Sequence, residues 1–453
     1  MPRLSLCNPK PGESEIADQI RERRHPRELL TLDSVLLHDP LIASGWNSLF
    51  GAIRSHSSLP ADFRELLILR VAALNLAPYE WIQHEKVGRE AGLTTPQLMR
   101  IRDTIKPLTT DPQDHSYTKL SDLHLAGLSF TDSLTKEIQV RDANFERLKA
   151  EFRRLSNQQD QVEKMILDAT ATVAGYNMVS RILVGLEVGD DRDQSVELPG
   201  LETRCEKLTM SDGTRLHVRY QLMGSRPTLM FCNSLLSNMG MWNWILPSLA
   251  TKYNLVCFDQ RGHGQSDVPK AYCTLRVSQG GATTLELSTR HPHLFQRHVV
   301  CGTQPSSPAE AQAAWASRIQ RAQGSEDGMK TLSEATIARW FPIESHLNQP
   351  NNQIATCVKR MIEETTIEGF EKSAAALYNY QVDEDQIPRG QHKVLFVAGE
   401  RDGVLPTILQ GLSERLSQGG NSVPYVGVPG AGHLPMVDQP LRFLNIIEPF
   451  LNS

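Results

Sequence analysis

The chain has 453 residues, of which 40% are hydrophobic and 22% charged, and its formal net charge is −5. This length is enough for two or three domains, and the composition is typical of a folded protein rather than a disordered one. Neither half of the chain is basic, which argues against electrostatic binding to nucleic acid or to an anionic membrane surface.

The sequence contains no run of about 18 apolar residues, so no transmembrane helix is expected. Its N-terminus lacks the apolar core of a signal peptide, and its C-terminus matches no retention signal. The seven cysteines are scattered, with no Cys-x-x-Cys pair, which indicates reduced thiols in a cytoplasmic protein. Because there is no nucleotide-binding glycine loop and no complete set of metal ligands, we expect neither a cofactor nor a metal.

The first part of the chain is predicted to be helical, from about residue 21 to 187, after a loose arm over 1–20. Apolar residues recur at the helical period, and Pro78 and Gly92 mark helix boundaries. The predicted helices include 60–75, 79–91, one around 130–152 and one around 158–186.

The pattern changes after a predicted linker over 188–204, which is acidic and contains proline and glycine. Short apolar runs then alternate with helical stretches, which is typical of a largely parallel sheet flanked by helices. The predicted strands cover 214–222, 228–232, 255–258 and 393–398.

Three residues of the second half have the types and the chain order of a nucleophilic triad. Ser278 lies in V-S-Q-G-G, Asp402 follows a predicted strand, and His433 lies in the glycine-bounded loop G-A-G-H. A serine hydroxyl is a poor nucleophile until an imidazole takes its proton, and a carboxylate fixes the imidazole tautomer. The order Ser, Asp, His is that of α/β-hydrolases.

Residues 205–453 resemble the α/β-hydrolase family, in particular its 3-oxoadipate enol-lactonases. The motifs that carry this resemblance are M-S-D-G at 210–213, N-S-L at 233–235 and D-Q-R-G-H-G-Q-S at 259–266. The resemblance implies an oxyanion hole formed by the backbone N–H groups of Leu235 and Gln279, substrate contact by Trp242, and a lid over about 305–385.

Two features depart from this family pattern. Arg276 stands where the nucleophile turn has a glycine, and only 12 residues separate Ser266 from Ser278. A parallel strand with its crossover helix takes about 30 residues. We therefore expect one strand and its crossover helix to be missing, which leaves two explanations: an impaired hydrolase half, or a gene model that omits both elements.

In the first half, Glu80 and His84 lie four residues apart on one predicted helix and so share a face, and Glu65 lies on the preceding helix. Spacing alone is compatible with a surface ion pair as well as with an acid–base pair.

Around these residues, R-E-L-L-I-L-R at 64–70 and Y-E-W-I-Q-H at 79–84 resemble the carboxymuconolactone decarboxylase family over about residues 27–187. The resemblance implies an all-α fold like that of alkylhydroperoxidase D, and a homo-oligomer formed through this domain. The peroxidase branch uses Cys-x-x-Cys where this chain has Ala77 and Glu80, so disulfide chemistry is excluded at this position. For a decarboxylase, the expected proton donor is His84, oriented by Glu80, with Glu65 as a second candidate.

Together the two resemblances imply a bifunctional enzyme. It would convert 4-carboxymuconolactone to the enol-lactone and then to 3-oxoadipate, with a small-molecule lactone or ester as its partner and neither nucleic acid nor membrane involved. Two alternatives remain open. The hydrolase could tailor an ester or lactone in secondary-metabolite biosynthesis, or an inactive hydrolase half could sit on an oligomerising helical module.

Overall fold

The computed structural model describes residues 2–24, 28–108, 120–189, 198–199, 202–269, 280–324, 327–349, 352–390, 393–418 and 422–453. The chain divides into two compact units, Met1–Gly200 and Leu201–Ser453. Within the described residues, no helix is long and apolar enough to span a membrane.

The first unit is built from helices throughout its described residues. They are α1 (Glu15–Arg24), α2 (Thr31–Leu36), α3 (Pro40–Ser55), α4 (Ala61–Leu74), α5 (Pro78–Glu90), α6 (Thr95–Arg102), α7 (Asp122–Lys136), α8 (Asp142–Leu155) and α9 (Gln159–Gly185). Helix α4 is the centre of the unit, because it is buried on all sides and packs against α5, α7 and α9. A helix that is apolar all round is stable only in such a core position.

Two expectations for this unit need correction. Residues 15–20 do not belong to a loose arm, since α1 begins at Glu15 and buries Ile16 and Ile20 in the core. The predicted helix around 130–152 is two helices, because α7 ends at Lys136 and the chain turns at Ile138 with φ +64°. A positive φ is unfavourable for a β-branched residue, so the sequence carries no turn signal there.

The second unit contains two sheets. The strands are β1 (Glu202–Thr209), β2 (Arg215–Leu222), β3 (Thr228–Phe231), β4 (Asn254–Phe258), β5 (His298–Cys301), β6 (Val394–Gly399) and β7 (Tyr425–Val428). One sheet has the order β1-β2-β4-β3, with β3 and β4 parallel and the other pairs antiparallel. The other sheet is parallel, with the order β5-β6-β7.

Helices flank these sheets, as the alternating pattern predicted. They are α10 (Leu246–Leu249), α11 (Gly281–Arg290), α12 (Ala309–Gln323), α13 (Gly328–Trp340), α14 (Gln353–Glu363), α15 (Ile367–Tyr378), α16 (Leu405–Leu416), α17 (Pro435–Asp438) and α18 (Pro440–Asn452). The four helices α12–α15 lie between β5 and β6 in the chain, over the range expected to form a lid. Strand β6 is buried along its whole length and is the centre of the core around the parallel sheet.

The predicted nucleophile segment lies outside the described residues, and with it Arg276, Ser278 and Gln279. Within the described part of the second unit, the ladder of the first sheet ends at β3 and that of the second begins at β5. The α/β architecture is present, but no described strand joins these two edges.

Candidate active sites

The second unit brings Asp402 and His433 together. Asp402 follows β6 and His433 follows β7, and the carboxyl ends of neighbouring parallel strands meet at one edge of a sheet. His433 Nδ1 lies 2.9 Å from Asp402 Oδ2. This bond fixes the proton on Nδ1 and leaves Nε2 as the nitrogen that can accept a proton from a nucleophile.

A set of contacts that the sequence did not predict positions the His433 loop. The backbone N–H of His433 donates to the carbonyl of Trp340 at 2.8 Å, and the Trp340 ring stacks on the imidazole with 5.5 Å between centroids. The N–H of Gly432 donates to Asp438 Oδ2 at 2.9 Å, and buried Asp438 also accepts a bond from Ser345. A side chain at Gly432 would overlap the Trp340 carbonyl, which accounts for glycine there.

The predicted oxyanion loop is a tight turn that is held under strain. The N–H of Ser237 bonds the carbonyl of Ser234 at 3.1 Å, and Leu236 between them has φ +64°. That conformation usually requires glycine, and a leucine in it costs about 1–2 kcal/mol. Leu235, beside it in the turn, lines the same cavity as His433. Strain of this kind persists only where surrounding contacts impose it.

Those contacts come from the D-Q-R-G-H-G-Q-S segment. The N–H of Leu236 donates to His263 Nε2 at 3.1 Å, and burial lowers the pKa of His263 to about 4, so the ring is neutral and can accept. Gln260 Nε2 donates to the carbonyls of Ser234 and Ser237 at 2.9 and 3.1 Å. The motif's function is therefore to fix the turn that presents Leu235.

The cavity beside His433 has a volume of about 380 Å³. Its lining includes Leu235, Trp242, Asp402 and the first residues of α11. Trp242 contributes its ring, because its indole N–H is committed to Asn233 Oδ1 at 2.8 Å.

Two arginines of the lid range line the same cavity. The Arg318 guanidinium lies 4.4 Å from the centre of the Trp315 ring. Burial and the neighbouring Arg318 lower the pKa of Arg339 to about 10, and Asp402 in the same cavity opposes that shift. Neither guanidinium forms an ion pair with any described residue. The positive charge of these two side chains favours an anionic ligand in the cavity. No local motif marks these residues in the sequence.

The first unit holds a second candidate site between α4 and α5. His84 Nδ1 lies 2.8 Å from Oε2 of Glu65, whose side chain is only 2% exposed. Arg64 Nε lies 3.5 Å from the other oxygen of Glu65. Of the two carboxyl groups that the sequence placed near His84, Glu65 rather than Glu80 contacts the imidazole.

Glu80 faces a different partner. Its Oε2 accepts a bond from Ser180 Oγ on α9 at 2.8 Å, while its Oε1 is buried and has no hydrogen-bond partner among the described residues. Burial raises the pKa of Glu80 well above its ordinary value and lowers the pKa of His84. The site thus contains a carboxylic acid that tends to keep its proton and an imidazole that tends to stay neutral.

These side chains line a cavity of about 300 Å³ together with Arg24, Arg54 and Arg64. Arg54 Nε donates to Tyr176 Oη at 2.8 Å, and burial raises the pKa of Tyr176 to about 12. Arg24 is ion-paired with Asp33 at 2.7 Å and Arg64 lies beside Glu65, whereas Arg54 forms no ion pair with a described residue. Arg54 is therefore the guanidinium group of this cavity best placed to bind a carboxylate-bearing ligand. No group of three or more His, Cys, Asp or Glu side chains in the described ranges is placed to hold a metal.

Comparison with known proteins relates each unit to a family. Residues 40–112 match the model of the Carboxymuconolactone decarboxylase family. The C-terminal half is similar to 3-oxoadipate enol-lactonase 2 of Acinetobacter baylyi (strain ATCC 33305 / BD413 / ADP1), with 28% identity over 249 residues, 49% of this chain and 88% of the relative. It is also similar to 3-oxoadipate enol-lactonase 1 of the same organism, with 26% identity over 269 residues, 54% of this chain and 96% of the relative.

Two solved structures are similar over the same share of the chain. One is a hydrolase from Pseudomonas aeruginosa PA01, 25% identical over 55% of this chain and 99% of that chain, with a TM-score of 0.49. The other is the enol-lactonase from Burkholderia xenovorans LB400, 22% identical over 55% of this chain and 100% of that chain, also with a TM-score of 0.49. The chain therefore joins a carboxymuconolactone decarboxylase-like helical unit to an enol-lactonase-like α/β-hydrolase unit.

Proposed function

We propose that the chain catalyses two successive reactions, decarboxylation of 4-carboxymuconolactone by the first unit and hydrolysis of the resulting enol-lactone to 3-oxoadipate by the second. The observation that carries the hydrolase assignment is the 2.9 Å bond between His433 and Asp402 in a cavity shared with the strained turn at Leu235. The relatives of the C-terminal half are named as 3-oxoadipate enol-lactonases.

In the proposed hydrolysis the Ser278 hydroxyl attacks the lactone carbonyl and gives its proton to His433 Nε2. The ring C–O bond breaks, the enol oxygen leaves with a proton from His433, and water then releases the acyl group by the same steps. Backbone N–H groups of Leu235 and Gln279 stabilise the oxyanion, each worth about 3 kcal/mol of the barrier. The α11 N-terminus, which lines the cavity, adds a favourable dipole.

The two arginines of the hydrolase cavity support an anionic substrate. The enol-lactone carries a carboxylate on its side chain, and Arg318 and Arg339 offer two guanidinium groups in the cavity of His433. A carboxylate held there is oriented by charge-assisted hydrogen bonds, which are about twice as strong as neutral ones.

In the proposed decarboxylation the C–CO₂ bond breaks and its electron pair passes into the unsaturated lactone, giving a dienolate. Glu80 donates its proton to carbon, and solvent then restores the proton on Glu80. We assign this role to Glu80 rather than to His84, because burial favours the protonated carboxyl and the neutral imidazole. His84, held by Glu65, and the nearby arginines position the substrate.

We further propose that the helical unit forms a homo-oligomer. Large apolar side chains are exposed on α3 and α9, with Leu41 85% exposed. Leu41 and Leu49 are eight residues apart and so share a face of α3, as exposed Leu167 and Met178 do on α9. Large apolar side chains exposed on one helix face are typical of surfaces that associate.

Purified protein given 4-carboxymuconolactone tests the proposal. We expect release of carbon dioxide and appearance of 3-oxoadipate, and direct hydrolysis of added enol-lactone. Protein that produces neither carbon dioxide nor lactone loss contradicts both assignments. Release of carbon dioxide with accumulation of the enol-lactone contradicts the hydrolase assignment alone.

A second candidate is a chain whose hydrolase unit is inactive. The observations that favour it are that no described strand joins β3 to β5 and that the spacing from Ser266 to Ser278 is short. Labelling with a fluorophosphonate, read by peptide mass spectrometry, separates the two without a choice of substrate. Label on Ser278 that is lost in His433→Ala supports hydrolysis, and an unlabelled protein supports the second candidate.

A further inference from the structure

The imidazole of His433 is bounded at its edge and on its face by two different side chains. At the edge, Asp402 Oδ2 lies 2.9 Å from Nδ1. On the face, the indole of Trp340 lies nearly parallel to the imidazole, with 5.5 Å between ring centroids and 25° between ring planes. Trp340 is 4% exposed, whereas the side chain of His433 is 23% exposed and lines the cavity. The indole is therefore a buried support against which the accessible imidazole rests.

Backbone contacts hold this stack in place. The N–H of His433 donates to the carbonyl of Trp340 at 2.8 Å, and a Cβ at Gly432 would overlap that same carbonyl oxygen. The turn that follows Trp340 is held by Asn348, whose Nδ2 donates to the carbonyl of Phe341 at 2.7 Å. The end of α13 is thus tied to the loop of His433 by bonds that do not involve either ring, so the two rings are kept together in both protonation states of the imidazole.

The charged groups of the cavity act on His433 in both directions. Asp402 favours a positive imidazolium, whereas the guanidinium groups of Arg318 and Arg339 oppose it. The lining also includes two thiols and a phenol, those of Cys232, Cys301 and Tyr380. Burial raises the pKa of these three groups, so they carry no charge near neutral pH. The cavity therefore sets one carboxylate against two cations around the imidazole.

The charged groups beside this loop but outside the cavity have partners of their own. Asp438 accepts the N–H of Gly432 at 2.9 Å and a second bond from Ser345. Arg401 forms an ion pair with Glu344. An aromatic ring, by contrast, attracts a cation without a formal charge, because its face is negative, and tryptophan does so most strongly when the cation lies within about 6 Å of the ring centre.

We propose that Trp340 is a positioning residue that stabilises the positive charge on His433 when Nε2 takes up a proton from the nucleophile. Asp402 acts at the edge of the imidazole, and the indole acts on its face by cation–π attraction. Since the indole is neutral, it does not repel an anionic substrate as a second carboxylate would. The consequence for catalysis rests on the proposed hydrolase function, whereas the effect on the protonation of His433 does not.

The first test follows the protonation of His433 without a substrate. Diethyl pyrocarbonate acylates the neutral imidazole and not the cation, so the rate of modification at His433, read by peptide mass spectrometry across the titration range of histidine, gives the midpoint of its titration. Trp340→Leu keeps an apolar cover and removes the aromatic face, and we expect the midpoint to fall by about 0.4–1.5 pH units. Trp340→Phe, with a smaller aromatic face, should give an intermediate fall. His56, exposed on the first unit, is the internal reference.

The matched control is Phe341→Leu. Phe341 follows Trp340 in the chain and is fully buried outside this cavity, so the variant loses comparable packing and should keep the wild-type midpoint. Circular dichroism checks folding, and if Trp340→Leu does not fold, the fall in Trp340→Phe decides. A midpoint that is unchanged in the Trp340 variants, or that falls equally in Phe341→Leu, overturns the proposal. A rise in Trp340→Leu also overturns it, since the indole would then act by excluding water.

A second measurement relates the midpoint to the rate. With an ester or lactone that the wild-type protein hydrolyses, we expect kcat of Trp340→Leu to fall by about 2–30-fold, which is the rate equivalent of the same shift. A protein without hydrolase activity in which the His433 midpoint still falls in Trp340→Leu supports the role of the stack and contradicts the proposed hydrolysis. An active hydrolase with equal midpoints contradicts the role of the stack alone.

Discussion

His84 Nδ1 lies 2.8 Å from Oε2 of Glu65, on a different helix, although Glu80 stands one turn away from His84 on its own helix. The packing of α5 against α4 and α9 separates the two carboxyls, because Glu80 is turned towards Ser180 on α9. One carboxylate therefore orients the imidazole, and the other, with an unpartnered buried oxygen, tends to hold its proton. This division is the basis of our proposal that Glu65 positions the imidazole and that Glu80 donates the proton.

Replacing Glu80 by glutamine tests that division. The amide keeps the size of the side chain and can still accept a bond from Ser180, but it has no proton to give to carbon. We expect decarboxylation to fall by about 10²–10⁴-fold, which is the usual contribution of a general acid, with little change in KM. The control is Glu85→Gln on the same helix, which we expect to stay within about threefold of wild type. Equal losses in both variants contradict the assignment.

The same residue makes the stability of the helical unit depend on pH. A carboxyl whose pKa is raised on folding stabilises the protein fully below its unfolded pKa, and this contribution is lost as pH rises through the folded pKa. For Glu80 the loss begins near the ordinary value of 4.5 and continues upward. We expect the difference in unfolding free energy between wild type and Glu80→Gln to change in favour of the variant as pH rises. Denaturant titrations at several pH values measure it, and parallel curves contradict the raised pKa.

In the hydrolase unit, Asp402→Asn should disable catalysis without disturbing the fold. The amide cannot stabilise the His433 cation and can leave the imidazole in the wrong tautomer, so we expect kcat for lactone hydrolysis to fall by about 10⁴-fold. Asp385→Asn, at a highly exposed position, is the matched control. Circular dichroism checks folding, and a variant that retains more than about a tenth of the activity rules out this role for Asp402.

Much of the hydrolase site could be predicted from the sequence, because its parts follow secondary structure. Asp402 and His433 come directly after strands, and neighbouring parallel strands bring their ends together. The contact with Trp340 could not be predicted, since this residue reaches the loop of His433 from α13, far away in the chain. The sequence motif also did not disclose that His263 supports the turn of Leu235.

In the helical unit, local spacing was misleading. The spacing of Glu80 and His84 places them on one face of α5, but each forms its hydrogen bond with a residue of another helix. The partner of Glu80, Ser180, is 100 residues away in the chain. Partners of this kind depend on how the helices pack against one another. The spacing of residues within one helix does not reveal that packing. The short nucleophile segment is a prediction of another kind, and residues 270–279 lie outside the described residues. It rests on chain length, because the 12-residue spacing from Ser266 to Ser278 is shorter than the roughly 30 residues that a parallel strand with its crossover helix takes.

If Arg318 and Arg339 bind the substrate, the hydrolase should prefer a negatively charged substrate. With Arg318→Gln or Arg339→Gln, we expect KM for an ester that carries a carboxylate to rise about 10–100-fold, since a hydrogen bond to a charged group is worth about 1.5–3 kcal/mol. KM for a neutral ester of the same length should be unchanged. Arg415→Gln, which removes a surface ion pair with Glu384, is the control. If KM rises equally for both esters, the arginines shape the cavity rather than bind the anion.

The last prediction concerns the proposed homo-oligomer and the exposed apolar residues of α3. A charge at Leu41, which is 85% exposed, removes no packing within the unit but is costly in a buried interface between copies. We expect Leu41→Glu to lower the molar mass measured by light scattering from that of an oligomer towards that of one chain, with circular dichroism unchanged. Ile343→Glu, 84% exposed in the second unit, should leave the oligomer intact. A wild-type protein with the mass of one chain contradicts the proposed oligomer, and equal dissociation in both variants contradicts its placement on α3.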